Sequence, residues 1–460
     1  MGRDSLYGTE RTTVAARRRT TPEAFYFAGT NGDFFDTSAA FPTGFNGRPI
    51  SGNIANSEIA QIPNTRGVFA VDETGHPDAG VMSYRGNLTF DGNTHSITSV
   101  NHTRGTDALV LFNQHQGRVT KTDAHGTEVL IELLPAYTWG VNRTLRARVC
   151  EIQTNRGNMW IPKGKAVLSG HGTSAAILNQ LSVGDEVEIN FELVMNGEAL
   201  PWAQMTGGDP RPLMLRDGVP ETDNVWNQLH PRTGIGFSVT RDTLIMVVVD
   251  GRSIISGGVT TLHLAEIMKS AGAWTAINLD GGGSSTMFVE PFGQTNIGSD
   301  GNERASGNHV FLVSTAPKDD NVSAIVSHTP VLELPVHGEF IPKFFGYNQY
   351  GVLLNIDLQG VVLSAPPSLG IIDGNRFTAG GSGESGIITA TYNGAVTEIQ
   401  VSIVPASNIS LRLDSVIVDV VSHYRKVARL NEENLPPHWE HGVAINFIHR
   451  AGQNLSNTLD

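Results

Sequence analysis

The chain has 460 residues, 39% of them hydrophobic and 17% charged, a composition typical of a folded globular protein with two or three domains. Its formal net charge of −13 at pH 7 excludes general binding to nucleic-acid backbones, which requires a basic surface. The single cysteine, Cys150, excludes an internal disulfide, and no run of 18 apolar residues is present to span a membrane.

The N-terminal part of the chain predicts little regular structure. Residues 1–24 are polar, and no apolar segment follows their arginines, so no signal peptide is visible and we expect a mature form or a fragment. Residues 24–29 predict a short strand that leads into Asn31-Gly32-Asp33-Phe34-Phe35. Residues 36–66 are rich in glycine, proline, asparagine and serine, which predicts a long loop.

The pattern that follows indicates mostly β structure as far as residue 200. Runs of β-branched and apolar residues lie between turn residues at 68–71, 108–112, 128–132 and 186–191. One short helix is predicted at 174–181.

A strand, a helix and a second strand then follow one another. Residues 243–249 form a continuous apolar and β-branched run, typical of a strand buried on both faces. Residues 261–271 have apolar side chains at helical spacing, and residues 273–279 predict the next strand. Asp250 and Asp280 follow the two strands. If the strands are parallel, both acids lie at the same edge of one sheet, where open α/β sheets bind ligands.

The composition changes after Pro317, which predicts a domain boundary. We expect a first domain at 1–317 and a β-sandwich of the immunoglobulin type at 318–410, with tight hairpins at Asp373-Gly374 and Asn393-Gly394. Residues 411–460 are expected to form an uncertain further β segment.

The most informative segment joins the end of the second strand to a run of small residues. Three glycines and three hydroxyl residues follow the acid Asp280: Gly281, Gly282, Gly283, Ser284, Ser285 and Thr286. Glycines without Cβ atoms can turn successive N–H groups towards an anion, whereas a simple turn with a helix cap needs only one glycine. The pattern is not a P-loop, because no GxxxxGK[ST] is present, and it is not a GxSxG nucleophile elbow. The fifteen histidines form no HExxH or His–Cys motif for zinc.

Arginines lie beside the loops of the same region. Arg232, Arg252 and Arg304 each adjoin a glycine-rich or acidic turn. A guanidinium group can hold a phosphate with two parallel hydrogen bonds, although any single arginine is equally well explained by a surface salt bridge.

An ordered set of motifs resembles the phosphodiester glycosidase family over about residues 20–316. The motifs are Asn31-Gly32-Asp33-Phe34-Phe35 (family NGxFF), His230-Pro231-Arg232-Thr233-Gly234-Ile235-Gly236 (RTAIG-like), Val249-Asp250-Gly251-Arg252, Ser256-Gly257-Gly258-Val259-Thr260, the segment from Asn278 to Met287, and Glu303-Arg304. The chain departs from the family in having few residues before NGxFF and His263 where a glutamate is common.

The resemblance implies a hydrolase that cleaves the sugar–phosphate bond of a sugar-1-phosphodiester, similar to N-acetylglucosamine-1-phosphodiester α-N-acetylglucosaminidase. It also implies an α+β fold, in which a mixed-sheet domain with a strand–helix–strand core is followed by the β-sandwich. We further expect a glycan substrate and an extracytoplasmic location in the envelope or exopolysaccharide, with no nucleic-acid partner and no membrane span. Because the disulfides of the animal enzyme are absent, we expect the closer relatives to be bacterial.

The implied site combines catalytic acids with substrate-binding groups. Asp280 is the first choice for nucleophile or general base, Glu303 is second, and Asp250 is a further acid that orients an arginine. The substrate-binding set is Asn31, Arg232, Arg252, Asn278, Gly281, Gly282, Gly283, Ser284, Ser285, Thr286 and Arg304. Asp250 and Asp280 are also candidate ligands of a hard cation such as Ca²⁺.

Two alternatives stay open from the sequence. One is a glycosidase that acts on a linkage without phosphate, against which the arginines argue. The other is a non-catalytic glycan-binding envelope protein, against which the retained acids argue.

Overall fold

A computed structural model describes residues 4–37, 46–223 and 225–404. Within these ranges the protein is mostly β, with few helices and several sheets. The chain divides into two compact units, which among the described residues comprise 4–19, 28–37, 46–223 and 225–312 for the first, and 20–27 and 313–404 for the second. None of the helices in these ranges is long and apolar enough to cross a membrane.

The helices described are α1 (Thr12–Arg19), α2 (Thr173–Leu178) and α3 (Thr261–Ser270), with 3₁₀ turns at Gln114–Gln116 and Gly282–Ser284. The strands up to the end of the first unit are β1 (Phe25–Asn31), β2 (Asn53–Ala55), β3 (Glu58–Gln61), β4 (Gly67–Asp72), β5 (Pro77–Phe90), β6 (Asn93–Ile97), β7 (Ser99–Val100), β8 (Leu109–Phe112), β9 (Thr127–Leu133), β10 (Thr144–Thr154), β11 (Lys165–Gly170), β12 (Glu186–Met195), β13 (Trp202–Gly207), β14 (Leu215–Arg216), β15 (Val219–Pro220), β16 (Arg232–Phe237), β17 (Leu244–Val249), β18 (Thr275–Asn278), β19 (Met287–Val289), β20 (Gly293–Gln294) and β21 (His309–Ser314).

A five-stranded sheet of order β15-β14-β18-β16-β17 brings the predicted acids to one edge. Strand β16 is antiparallel to both β17 and β18, so these two strands run parallel to each other with β16 between them. Arg232, at the start of β16, pairs with Val249, at the end of β17. The prediction that Asp250 and Asp280 follow parallel strands at one edge is therefore confirmed, and the intervening antiparallel strand is an addition that the sequence did not predict.

Helix α3 covers one face of this sheet. Leu264, Ala265, Ile267 and Met268 are buried, and they pack with strand residues such as Val247 in one apolar cluster. The side chain of Thr260 accepts the N–H of His263 and caps the helix. The predicted helix at 261–271 is confirmed to within one residue.

A twelve-stranded sheet, ordered β3-β2-β13-β4-β5-β12-β10-β9-β11-β8-β7 with β6 paired to β5, makes up most of the first unit. Its inward side chains form the largest apolar cluster, which includes Leu88, Val129, Ile189 and Trp202. The prediction of a loop throughout 36–66 is wrong, because strands β2 and β3 form a hairpin there whose Ile54 and Ile59 are buried.

The prediction of irregular structure at 1–24 is also wrong, because helix α1 lies within it. This helix buries Thr12, Ala15 and Ala16 and has a weak apolar pattern. Its first turn is capped by a distant carboxylate, that of Glu303, which accepts the N–H and hydroxyl of Thr13 at 2.9 and 2.5 Å. Local sequence reasoning does not detect such a cap.

The second unit contains strands β22 (Ala324–Ser327), β23 (Val331–Pro335), β24 (Glu339–Phe340), β25 (Phe344–Tyr347), β26 (Leu353–Asn355), β27 (Val362–Ser364), β28 (Gly370–Asp373), β29 (Arg376–Ala379), β30 (Ser385–Tyr392) and β31 (Ala395–Val404). They form sheets of order β22-β25-β26, β23-β31-β30-β27 and β24-β29-β28 over one apolar cluster that includes Phe377 and Ile399. Both predicted hairpins are confirmed, between β28 and β29 and between β30 and β31. The immunoglobulin-like arrangement stays a prediction, and residues 405–460 lie outside the described ranges.

A small sheet of order β20-β19-β1-β21 places Asn31 against the five-stranded sheet. The Asn31 side chain is fully buried. Its Nδ2 donates to the carbonyl of Asp280 at 2.7 Å, and its Oδ1 accepts the Thr233 hydroxyl at 3.0 Å and the Thr286 N–H at 3.1 Å. Asn31 therefore joins β1, β16 and the glycine-rich segment, and its expected role in substrate binding stays a prediction.

We expect Asn31→Ala to lower the free energy of unfolding of the first unit by about 2–4 kcal/mol, because it leaves buried donors and acceptors without partners. Urea unfolding followed by tryptophan fluorescence measures this change. The matched control is Asn93→Ala, at an exposed position at the start of β6, which should change stability by less than about 0.5 kcal/mol. Equal effects of the two substitutions would contradict the assigned role.

Candidate active site

The glycine-rich segment folds into a tight turn that uses most of its own amides. Gly282 donates its N–H to the carbonyl of Pro231 at 2.8 Å, while Ser284 and Ser285 donate to Gly281 and Gly282 at 3.3 and 3.2 Å. The expected nest of successive free amides is therefore not what forms, because a 3₁₀ turn engages them.

The three glycines are explained instead by close approach of other groups. A Cβ at Gly281 would lie 2.8 Å from the Pro231 carbonyl oxygen. One at Gly282, where φ is +62°, would lie 3.1 Å from Nη2 of Arg252. One at Gly283 would collide with the guanidinium of Arg304. The turn thus packs two guanidinium groups against bare backbone, directly after Asp280.

Arg232 and Arg252 bring positive charge to the edge where β16 begins. The guanidinium of Arg232 is buried and donates to the carbonyls of Val259 and Gln228 at 3.2 and 3.0 Å. Burial lowers its pKa to about 10, the charge of Asp209 opposes this shift, and Arg232 stays protonated at neutral pH. Arg252, in left-handed backbone at φ +57°, donates from Nε to Nδ1 of His230 at 3.4 Å.

The side chain of His230 responds to the same charge. Burial lowers its pKa, and the neighbouring guanidinium groups of Arg252 and Arg232 lower it further. A neutral imidazole can accept the Arg252 hydrogen bond, so the edge is electrostatically suited to an anion.

Asp280 is a carboxyl held largely away from water. Burial raises its pKa to about 6, while the neighbouring Ser284 hydroxyl, the Gly281 N–H and the charges of Arg304 and Arg66 oppose the shift. A carboxyl that titrates near neutrality beside fixed positive charges is typical of an acid–base or nucleophilic group.

A second buried carboxyl, that of Asp33, was not among the residues selected from the sequence. Its exposed fraction is 1%. Oδ2 accepts the Ser51 N–H at 2.7 Å, and Oδ1 has no hydrogen-bond partner among the described residues. Burial raises the pKa of Asp33 to about 7, with Arg66 and Ser51 opposing and the charge of Asp280 adding to the rise.

Arg66 is the further charged group that sequence reasoning missed. Its Nε donates to the carbonyl of Gly208 at 2.9 Å, and its guanidinium lies 5.0 Å from the ring centre of Phe34. Its charge lowers the pKa of both Asp33 and Asp280. The NGDFF motif contains Asp33 and Phe34 and was the available signal, whereas Arg66 was hidden in a segment predicted to be loop.

Asn278 lies at the same edge, bound to a polar cluster. Its Nδ2 donates to Asp209 at 2.9 Å, and Oδ1 is buried without a partner in the described ranges. Asp209 also accepts the indole N–H of Trp226 at 2.6 Å and a charged hydrogen bond from Arg211 at 2.7 Å. The arginine stacks on Trp226 at 4.2 Å from the ring centre. None of Asp209, Arg211 or Trp226 was selected from the sequence.

The other predicted acids are engaged elsewhere. Oδ1 of Asp250 accepts from Asn296 and from the Ile297 N–H at 3.2 and 3.0 Å, which anchors the segment after the turn. Both carboxylate oxygens of Glu303 cap helix α1, so the structure gives Glu303 a structural role and does not bring it into contact with Asp280. Arg304 pairs with Asp300 at 2.5 Å while lying against Gly283.

The predicted hydroxyl groups lie inside the protein. Ser284, Ser285 and Thr286 are buried, and none of their three hydroxyls has a hydrogen-bond partner within the geometric limits in the described part of the chain. Of the three hydroxyl groups, that of Ser284 lies beside Asp280.

Across residues 4–37, 46–223 and 225–404, no three His, Cys, Asp or Glu side chains group together in a way that could hold a metal ion. Asp250 and Asp280 therefore form no ligand cluster of the kind expected for Ca²⁺ within these ranges.

Part of the chain is similar to a known protein family. Residues 140–313 match the model of a family described as phosphodiester glycosidase. A 115-residue segment is 39% identical to a prophage-derived protein of Bacillus subtilis strain 168, YomE, and the match covers 24% of this chain and only 17% of that relative.

Solved structures provide a likeness in fold. A protein of Burkholderia pseudomallei K96243 is 21% identical, with a TM-score of 0.50, covering 67% of this chain and 69% of its own. A protein from Synechocystis is 16% identical, with a TM-score of 0.48, over 67% of this chain and 54% of its own. The catalytic domain of zebrafish N-acetylglucosamine-1-phosphodiester α-N-acetylglucosaminidase, auto-inhibited by its pro-peptide, is 14% identical, with a TM-score of 0.19. The match covers 67% of this chain and 96% of that domain. Only the first of these scores supports a shared fold.

We expect Asp33→Asn to stabilise the protein at alkaline pH. The folded state raises the Asp33 pKa from 3.8 to about 7, so between these values it keeps a proton that the unfolded chain releases. The contribution of Asp33 to stability therefore falls as pH rises through this window and is lowest above pH 7.

The amide introduced by Asp33→Asn does not titrate. At pH 8 the free energy of unfolding of the variant, measured with urea, should therefore exceed that of the native protein by on the order of 1–3 kcal/mol. At pH 4.5 the difference between the two free energies should be smaller. Asp91→Asn, at an exposed turn, is the control and should show neither effect. A difference that does not depend on pH would contradict the buried, proton-holding state of Asp33.

Proposed function

We propose, from the match of residues 140–313 to the phosphodiester glycosidase family, that the chain hydrolyses the sugar–phosphate bond of a sugar-1-phosphodiester. The products are the free sugar and a phosphomonoester. The substrate is of the N-acetylglucosamine-1-phosphodiester type, carried by a cell-envelope or exopolysaccharide glycan outside the cytoplasm.

One observation carries the proposal. The carboxyl of Asp280, with its pKa raised to about 6, is followed directly by a glycine turn against which the guanidinium groups of Arg252 and Arg304 pack. Breaking the bond at the anomeric carbon creates positive charge on the sugar and negative charge on the departing phosphate. A carboxylate beside fixed guanidinium groups matches both charges.

The two arginines have different proposed roles. Arg252 lies beside Gly282, with its Nη atoms towards the turn, and is the group proposed to hold the phosphate. Nε and Nη2 of Arg232 donate hydrogen bonds to protein carbonyls. These two groups are not free to bind the phosphate, so Arg232 contributes through its positive charge. Asp280 either attacks the anomeric carbon or removes a proton from the attacking water, and both courses give the same products.

The proposal includes a division of the chain into two domains. Residues 1–317 are the hydrolase domain, and residues 318–410 are an immunoglobulin-like module. The separate apolar cluster around Phe377 and Ile399 supports an independent second module.

We expect Asp280→Asn to lower sugar release from a GlcNAc-1-phosphodiester or from UDP-N-acetylglucosamine by at least about 10³-fold, because no ionisable oxygen is left to act at the anomeric carbon. A reducing-sugar assay measures the release, with and without a chelator. The control, Asp91→Asn, removes an exposed carboxyl and should keep full activity. Full activity of Asp280→Asn would remove this residue from the chemistry, and glycan binding without turnover in the native protein would favour a binding function.

We expect Arg252→Ala to raise KM for the phosphodiester by about 10- to 100-fold, because a charged hydrogen-bonding partner of the phosphate is lost. The control is Arg85→Ala, which removes a guanidinium that is 72% exposed on the twelve-stranded sheet. Cleavage of aryl glycosides without phosphate, unaffected by Arg252→Ala, would instead indicate an ordinary glycosidase.

A further inference from the structure

The carboxyl of Asp33 is the one strongly shifted acid next to Asp280 that the proposed reaction does not yet use. A reacting role for Asp33 rests on the proposed function and adds a second group to it. Asp33 lies outside the matched segment 140–313 and occupies the unspecified third position of NGxFF, so neither comparison assigns it a role.

The backbone holds Asp33 directly beside Asp280. Gly32 accepts the N–H of Asp280 on its carbonyl at 3.0 Å, and it donates its own N–H to the carbonyl of Asn308 at 2.9 Å. These bonds fix the residue before Asp33 against the backbone of Asp280, and the charge of Asp280 acts on the Asp33 carboxyl.

The side chain is anchored by one oxygen only. Oδ2 accepts the Ser51 N–H, and a Cβ at Gly207 would lie 2.8 Å from this oxygen, so the carboxyl fits against bare backbone. Oδ1 has no hydrogen-bond partner in the described residues, and neither has Oδ1 of Asn308, which would lie 2.7 Å from a Cβ at Gly32. A protein rarely leaves a fully buried carboxyl oxygen without a partner unless water, a ligand or a proton supplies one.

The charges that act on Asp33 favour a proton on it. Arg66 is the positive group and Asp280 the negative group, with Ser51 as the hydrogen-bond donor. Two neighbouring carboxylates and a phosphate repel one another in a buried site, so the carboxyls titrate as a pair and one keeps its proton longer. A protonated carboxyl can also donate a hydrogen bond to a phosphate oxygen.

We propose that Asp33, in its protonated form, is the acid of the reaction and donates its proton to the phosphate oxygen that leaves the anomeric carbon. The C1–O bond breaks, its electron pair stays on that oxygen, and the Asp33 proton forms the new O–H bond. Water supplies the hydroxyl to C1, and its proton passes to the carboxylate of Asp280. Exchange with solvent then returns a proton to Asp33 and removes one from Asp280, so each cycle consumes one water.

The pH profile of Asp33→Asn tests the role in turnover. In the native protein, kcat/KM should rise as Asp280 ionises and fall as Asp33 loses its proton. In the variant kcat should drop by about 10²-fold and the fall on the alkaline side should disappear. The rise should stay at the native pH, because Asp33 is still protonated and neutral where Asp280 ionises.

The control is Asp78→Asn, which removes a buried carboxyl that accepts the Ala79 N–H, and it should keep the native profile. Native activity, or an unchanged alkaline fall, in Asp33→Asn would overturn the proposal.

A binding measurement separates this proposal from the function on which it rests. Calorimetry with N-acetylglucosamine 1-phosphate at pH 5.5 and 8, in buffers of different ionisation enthalpy, detects proton uptake on binding. The ligand is a phosphomonoester whose own ionisation, with a second pKa of about 6, contributes to both proteins. At pH 8 the native protein should take up about one more proton on binding than Asp33→Asn does, and its affinity should fall more between pH 5.5 and 8.

If binding behaves in this way but no sugar-1-phosphodiester is cleaved, the proposed hydrolysis fails while Asp33 is still shown to donate to the phosphate. If cleavage occurs with the same pH dependence of binding in both proteins, the Asp33 role fails alone. Absence of both binding and cleavage overturns both.

Discussion

The hydrogen bonds of one buried amide, that of Asn31, hold the site together. Its two polar atoms bind the carbonyl of Asp280, the hydroxyl of Thr233 and the N–H of Thr286. These partners belong to the glycine-rich segment and to strand β16 of the five-stranded sheet. The position of Asp280 relative to the arginines therefore depends on Asn31, which binds the backbone of Asp280 and not its carboxyl.

The sequence predicted the parts of the structure whose cause is local. Helix α3 and strand β17 follow from apolar periodicity, and the second-unit hairpins follow from turn residues such as Asn393-Gly394. Helix α1 and the cap provided by Glu303 could not be predicted, because the capping carboxylate is 290 residues away. Asp33 was visible inside a motif, but the burial that shifts its pKa is a property of the folded chain.

The same burial connects function with stability. Removing carboxyl and guanidinium groups from water is unfavourable, and the raised pKa values of Asp33 and Asp280 and the lowered pKa of Arg232 all record this cost. The glycines matter here because they let Arg304 approach the turn, where its charge opposes the raised pKa of Asp280. A site of this kind is expected to be less stable than an apolar core of the same volume, in exchange for groups that titrate near neutrality.

The contacts of Asn31 also bear on how the protein is made. Its side-chain partners lie 202, 249 and 255 residues later in the chain. Contacts at such separations form late in folding, because a long loop must close before they add stability. A ribosome-bound chain that has not yet extended past Thr286 cannot form these contacts, so the arrangement around Asp280 arises only after most of the first unit has been synthesised. The order of the chain thus delays this arrangement until that unit is nearly complete.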